Sequence, residues 1–346
     1  MAIKASDNFT KKNVFTKEQT RLTGEKPVID TISPPFLELN PFFSVCIPTY
    51  NRGSMLPAAI ESVLTQDFDN FELIICDNAS TDNTEDVVKN YLDKRIRYVR
   101  YPTLVSMYAN HNRCIELARS NWIIFLHSDD QINNLKSAQL ILKSLPSGVS
   151  ACFPYQTTKD KNLPTYLEWN FLEILQLMNG ISPSGSIYQK NALEKLGGFA
   201  EDNLIADWEI LLNITWNQGL VYSYRSEPFV TRVVHGKNAY LKSIKDGSAH
   251  LGKSHCIKRL FADVSFSDFK KIIQSIIIKM TASKNSLLYF YLLISGLDEK
   301  AEYLKKEAIS LNKFSLLSAG SVYGILAKIM GRDSFWIFYQ KIRKIA

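Results

Sequence analysis

Two aspartates stand side by side at positions 129 and 130, just past His127-Ser128, which follow the apolar run Trp122-Ile-Ile-Phe-Leu126. Adjacent carboxylates repel each other unless a cation or several donors compensate them. A hard divalent ion held by one or two carboxylates and substrate phosphates would do so. The plainer alternative is a polar loop whose Asp caps a helix before Asn133-Asn134. Asp77 closes a second apolar run, Phe71-Glu-Leu-Ile-Ile-Cys76. Its carboxylate could accept hydrogen bonds from a base N–H or a ribose hydroxyl, or simply turn the loop through Asp82. A third polar cluster, Pro48-Thr-Tyr-Asn-Arg52, follows the run Phe43–Ile47. Farther on, Asp207-Trp-Glu209 opens an apolar stretch, where acids suit a helix N-terminus by capping and by the macrodipole.

These clusters need elements to hold them. Phe43–Ile47 alternates like a strand, and Phe71–Cys76 reads as a strand buried on both faces. Ile96–Tyr101 and Trp122–Leu126 complete a set of four. Between them, Leu56, Ile60, Val63 and Leu64 share one helical face, with Pro57 in the first turn. Asp82-Asn-Thr-Glu85 reads as a capping box opening a helix that buries Val87, Val88 and Tyr91. Another helix is expected over Met107–Ala118. Strands alternating with helices imply a mostly parallel, Rossmann-like α/β sheet flanked by helices. In such sheets the ligand site lies beyond the carboxyl ends of the strands. The polar clusters fall at those ends. Helices are also expected over Leu167–Met178 and around Asp207–Asn217, and a helical pattern from about 251 onward.

Composition narrows the class. The chain has 346 residues, 46% hydrophobic and 22% charged, which suits a globular protein with a substantial core. Its net charge of +7 favours anionic partners such as phosphates or acidic lipid. Nucleic acid is not expected, since neither a zinc-finger spacing nor an RNP-like aromatic signature is present. Cys46, Cys76, Cys114, Cys152 and Cys256 are scattered and never paired as CxxC, so buried free thiols in a reducing compartment are expected. No apolar leader follows Met1, and polar residues break the longest apolar stretch, Ile272–Ile294. A cytoplasmic protein is the expectation. Residues 1–41 read as an N-terminal extension, 42–250 as the main domain and 251–346 as a helical C-terminal extension. In the last, Lys328, Arg332, Lys341, Arg343 and Lys344 interleave with Ile325, Ile329, Trp336, Ile337, Phe338 and Ile342. Such a helix could rest on an anionic membrane face or pack on a partner.

The run Val45–Arg52, then Glu72–Thr84, then Phe125–Asp130 resembles the family 2 glycosyltransferases with a GT-A fold, over roughly residues 42–240. The resemblance implies an inverting hexosyltransferase of the bacterial surface-polysaccharide type. It would use a nucleotide-sugar donor, UDP first among nucleotides, Mn²⁺ or Mg²⁺, and a saccharide or lipid-linked acceptor. Carried over residue by residue, Thr49, Tyr50, Arg52, Asp77, Asn112 and Ser128 would bind the nucleotide. Asp129 and His235 would hold the metal, with Asp130 and Arg232 beside them. Asp207 would be the catalytic base, preceded by Gly197-Gly-Phe199, with Glu209 as the fallback and Trp208 between them. Ser182-Pro-Ser-Gly-Ser186 would line the donor-sugar or acceptor groove. Two positions depart from the family pattern: His127 replaces the first Asp of Asp-x-Asp, and His111 stands where Arg is common in Asn110-His-Asn-Arg113. A sugar nucleotidyltransferase would show a Gly-rich phosphate loop after the first strand, which Pro48–Arg52 is not. A non-catalytic nucleotide-sugar-binding or scaffold protein is the remaining alternative.

Overall fold

The computed structural model describes residues 25–31, 40–154, 166–176, 181, 184–224, 229–231, 233, 248–262, 265 and 267. The expected core strands are present: β2 (Phe43–Thr49), β3 (Phe71–Asn78), β4 (Ile96–Tyr101) and β5 (Trp122–Phe125). They lie in a nine-stranded sheet ordered β1-β4-β3-β2-β5-β9-β7-β10-β8. The added strands are β1 (Ile29–Asp30), β7 (Val149–Pro154), β8 (Tyr166–Trp169), β9 (Ile187–Gln189) and β10 (Leu220–Tyr224). Strand β2 runs parallel to β3 and β5, and β3 runs parallel to β4. Strand β9 opposes both β5 and β7, so β7 and its parallel neighbour β10 point the same way as the core strands. Only β1, β8 and β9 run against the rest. This is the mostly parallel α/β sheet that the alternation of strands and helices implied.

All eight residues of β3 are buried, which is why its sequence reads as a continuous apolar run. The acid near its start, Glu72, is fully buried and accepts hydrogen bonds from the Ser44 hydroxyl and from the Arg119 amide at 2.6 Å. Helix α1 (Leu56–Leu64) buries Leu56, Ala59, Ile60 and Val63, with proline in its first turn. Helix α3 (Met107–Leu117) is capped by Ser106, whose hydroxyl accepts from the Ala109 amide at 3.2 Å. A short second sheet pairs β6 (Gln131–Ile132) with β11 (Val230–Thr231) and ties down the chain just after Asp130.

Two expectations give way. The stretch expected as one helix over Leu167–Met178 begins as strand β8, and among its described residues the helix is Phe171–Gln176. Trp169 is fixed by a 2.7 Å hydrogen bond from its indole to Ser223 on the neighbouring strand, so the sheet edge outweighs a helical periodicity. Asp82 and Glu85 do not form a capping box. The helix Thr84–Lys89 (α2) has Asn83 at its N-cap, and Asp82 accepts instead from the Gly53 and Thr84 amides, both at 3.0 Å. Glu85 is drawn to Lys89 and Arg100. Val88 is buried there as expected, whereas Val87 and Tyr91 are half-buried.

All five cysteines are buried and free, as expected. The described residues divide into two compact units, one within Phe15–Asp202 and Ala206–Val234, the other holding Asn203–Ile205 and the described part of His235–Ala346. In the second unit the helix Ser248–Ala262 runs across position 250, buries Cys256, Ile257, Leu260 and Phe261, and packs Gly252 against Asn203. Among the described residues no helix is long and apolar enough to cross a membrane. Arg232, His235, Ser182 and the basic C-terminal stretch lie outside the described residues.

Candidate functional site

The loops after β2 and β3 are laced together. Asn51 takes a left-handed backbone, φ 51°. Its side-chain oxygen accepts from the Thr81 amide at 2.7 Å, and its own amide donates to the Ser80 hydroxyl at 2.9 Å. The Arg52 amide donates to Thr84 Oγ1 at 3.2 Å. Gly53 lets the two loops approach closely: a Cβ would stand 2.2 Å from the Asn83 side-chain oxygen, which would have to move, and 3.1 Å from the Thr84 amide nitrogen. Thr49 and Tyr50 are presented from this frame. Tyr50 is 41% exposed, while Thr49 is buried with its hydroxyl lacking a protein partner.

Asp77 sits at the end of β3 with no exposed surface. Its Oδ2 accepts from the Tyr98 hydroxyl at 2.6 Å, and Oδ1 accepts from the Ser80 amide at 2.9 Å. Arg100 Nε lies 3.8 Å away. Burial, followed by the bond to Asp77, pushes the Tyr98 phenol well above its usual range. Each carboxylate oxygen keeps a further lone pair for a ligand N–H or hydroxyl.

Asn112 is placed apart from these loops. Its amide closes a reciprocal pair with the Phe199 backbone, donating to the carbonyl at 2.9 Å and accepting from the N–H at 2.8 Å. It also donates to Glu201 at 3.1 Å. Gly198, at φ +85°, admits this approach, since a Cβ there would fall 2.4 Å from the Asn112 oxygen. The expected nucleotide-binding residue therefore clamps the turn that leads toward the Asp207 helix.

The third loop gathers the charge. His127 and Asp130 close a turn, the Asp130 amide donating to the His127 carbonyl at 3.0 Å. The His127 amide donates to the Ser184 hydroxyl at 3.2 Å, and Asp130 Oδ1 accepts from the Val233 amide at 2.9 Å. Ligand atoms of His127, Asp129 and Asp130 lie within 4.8 Å of one another. Ser128, between them, is buried. Burial raises the Asp130 carboxyl above its usual range, against hydrogen bonds from Ser184 and Val233 and the attraction of His127, with Asp129 repelling. One imidazole and two carboxylates in a partly buried loop form a donor set that fits a divalent cation.

Asp207 lies in the first turn of α7 (Ala206–Trp216), 8% exposed, and accepts from the Trp208 amide at 2.9 Å. The Tyr108 hydroxyl stands beside it, 3.4 Å from the Asp207 amide that donates to it, and also hydrogen-bonds the Asp207 side chain. Burial, then the Asp207 charge, pushes the Tyr108 phenol far up. Trp208 anchors the helix through its indole, which donates to the Ile174 carbonyl at 2.8 Å, and Glu209 is buried. From Tyr108 a file of rings leads to the third loop: the Tyr108 and His111 centroids are 5.2 Å apart, and those of His111 and His127 are 5.7 Å apart. His111 is fully buried, and burial, then repulsion from His127, lowers it to about 3. It is therefore neutral at ordinary pH, its Nδ1 donating to the Met107 carbonyl at 2.8 Å.

Sequence reasoning missed Tyr108 and Tyr98, each a single tyrosine in an unremarkable helix or strand. Ser184 belonged to the Ser-rich cluster expected along the sugar groove. Its hydroxyl accepts from the His127 amide and hydrogen-bonds Asp130.

Residues 44–197 match the family model for glycosyl transferase family 2. A PGL/p-HBAD biosynthesis glycosyltransferase of Mycobacterium tuberculosis is 26% identical over 191 residues, covering 53% of this chain and 73% of that protein. The Escherichia coli UDP-Glc:alpha-D-GlcNAc-diphosphoundecaprenol beta-1,3-glucosyltransferase WfaP is 36% identical over 87 residues, 25% of this chain and 35% of that protein. Thus the chain spans well under two thirds of the length of some relatives and nearly three quarters of others. The mannosyltransferase PcManGT from Pyrobaculum calidifontis, solved with GDP-Man and Mn²⁺, shares the fold at TM-score 0.53 and 14% identity, over 94% of this chain and 92% of that one. A mostly parallel sheet with its polar loops at the strand ends, and the family match across them, define the class: residues 44–197 are a family 2 glycosyltransferase domain, in a chain of GT-A fold.

Proposed function

We propose that this glycosyltransferase moves a sugar from a nucleoside-diphosphate donor, UDP first among nucleotides, onto an acceptor hydroxyl with inversion at the anomeric carbon. The observation that carries the reading is the His127–Asp129–Asp130 cluster beyond β5 in a family 2 domain. Thr49, Tyr50, Arg52, Asp77 and Ser128 would receive the base and ribose. Asp129 and Asp130, with His235 by resemblance, would hold Mn²⁺ or Mg²⁺. Bound there, the ion supplies positive charge to the departing diphosphate. Asp207 takes the proton from the acceptor hydroxyl as that oxygen bonds to the anomeric carbon, while the bond from carbon to the diphosphate oxygen breaks on the opposite side. Glu209, two residues along α7, is the fallback base. A lipid-linked or polysaccharide acceptor at the cytoplasmic membrane face is supported by the name of WfaP and by the basic C-terminal stretch.

Thermal unfolding with a panel of nucleoside diphosphates, each with and without Mn²⁺, tests the donor site. A ligand at about 100 times its dissociation constant adds roughly 2.7 kcal/mol. Metal-dependent stabilisation by one nucleotide is expected. The absence of any shift across the panel would turn the reading toward a non-catalytic scaffold. Asp207→Asn should keep that shift and lower transfer by about 10²–10⁴-fold. Retained turnover would pass the base role to Glu209.

A further inference from the structure

His127 and His111, the two positions that depart from the family pattern, touch each other in the fold. Their rings pack edge to face at 5.7 Å and 88°. Nε2 of each is buried and lacks a hydrogen-bond partner. Buried polar nitrogens are normally satisfied, so each unpartnered one asks for a cause. His111 has no exposed surface, and its other ring nitrogen is spent on the Met107 carbonyl. His127 differs. Its backbone is pinned on both sides, amide to Ser184 and carbonyl to the Asp130 amide, and its ring belongs to the cluster whose ligand atoms lie within 4.8 Å of one another.

We propose that His127 is a nitrogen ligand of the metal site, beside Asp129 and Asp130, and that it sets the site's preference for Mn²⁺ and later divalent ions over Mg²⁺. The proposal rests on the metal-dependent reading given above. An Asp at this position would make the loop a three-carboxylate, all-oxygen site of the kind that Mg²⁺ accepts. Replacing it by imidazole removes one negative charge and supplies a softer donor, which suits Mn²⁺, Co²⁺ or Zn²⁺ better than Mg²⁺. The ring contact with His111 then positions the ligand: the His111 ring, held by the Met107 carbonyl, packs against the His127 ring.

The test uses the full-length protein with Mn²⁺ and either UDP or GDP. Pulsed electron paramagnetic resonance on bound Mn²⁺ reads nitrogen-14 coupling directly, and calorimetry gives Mn²⁺ and Mg²⁺ affinities. The wild type should show imidazole coupling. His127→Asp should still bind Mn²⁺, lose the coupling, and narrow the Mn²⁺ over Mg²⁺ preference by about tenfold or more. His127→Asn, closer in shape, should lose the coupling as well, which guards against a folding defect in one variant. Coupling that survives both substitutions would come from another residue, such as His235, and overturn the proposal. Mn²⁺ bound without nitrogen coupling in the wild type would leave His127 a packing residue while the metal reading stands. Failure of Mn²⁺ to bind with any nucleotide would bring down both.

Discussion

Asp77 and Asp130 occupy comparable places, one in the last residues of the parallel strand β3 and the other in the loop after β5, yet the fold treats them in opposite ways. Asp77 is answered from within: the Tyr98 phenol, the Ser80 amide and the nearby Arg100 guanidinium surround it. Asp130 receives an amide, a hydroxyl and the attraction of His127, has Asp129 beside it, and still shows a carboxyl raised by burial. Burying a carboxylate is costly unless a charge or several donors compensate it. Protein groups settle that cost at the first site. At the second they leave part of it for a cation. The difference separates a carboxylate whose charge the frame already answers from one that still attracts a cation.

The contrast is sharpest at Tyr98. Tyr98→Phe should strip a buried carboxylate of its donor, cost about 1–3 kcal/mol in urea unfolding and weaken the nucleotide contact proposed for Asp77, while Mn²⁺ binding persists. Equal loss of nucleotide and Mn²⁺ binding would mean that the two sites are one.

Asp130→Asn should behave in reverse. A carboxyl raised in the folded protein favours folding while protonated, and that contribution is lost as pH rises through the folded value. With chelator at neutral pH the Asn variant should therefore melt about 1–3 °C higher than the wild type. The gain should fade as pH falls toward the ordinary value of 3.8, where both are neutral. The same variant should lose stabilisation by Mn²⁺. A lower melting temperature at neutral pH would break the comparison.

Tyr108→Phe carries the smallest effect. Losing a donor to Asp207 disfavours its charged form, so the acid limb of the transfer pH profile should move up by roughly 0.5–1 unit. An unmoved limb would leave Tyr108 as packing alone.

The frame was legible because its signals are local. Continuous apolar runs marked β2, β3 and β5, and the polar loops at their ends marked the site. The errors came where local signals tie. Leu167–Trp169 carries apolar residues that suit either periodicity, and only the pairing with β10 decides. Asp82 fits a capping box in sequence, but the Gly53 amide, 29 residues away, claims its carboxylate. Tyr98 and Tyr108 were invisible for a similar reason: their partners are 21 and 99 residues distant and become neighbours only through the sheet. Whether a strand-end Asp is settled or still attractive depends on those distant partners, so the sequence could place Asp77 and Asp130 without telling them apart.

The clasp between Asn112 and the Phe199 backbone bears on how such chains can be cut, recombined and compared. The amide fills the space a side chain at 198 would need, so the two positions form one unit of inheritance. Relatives that keep Gly at 198 can keep Asn at 112, and any that gain a side chain there must give up the amide or shift the turn. A chimera joined anywhere between the two positions brings together halves from different parents. It would then set the Asp207 helix in a socket shaped for another sequence, even with every motif intact.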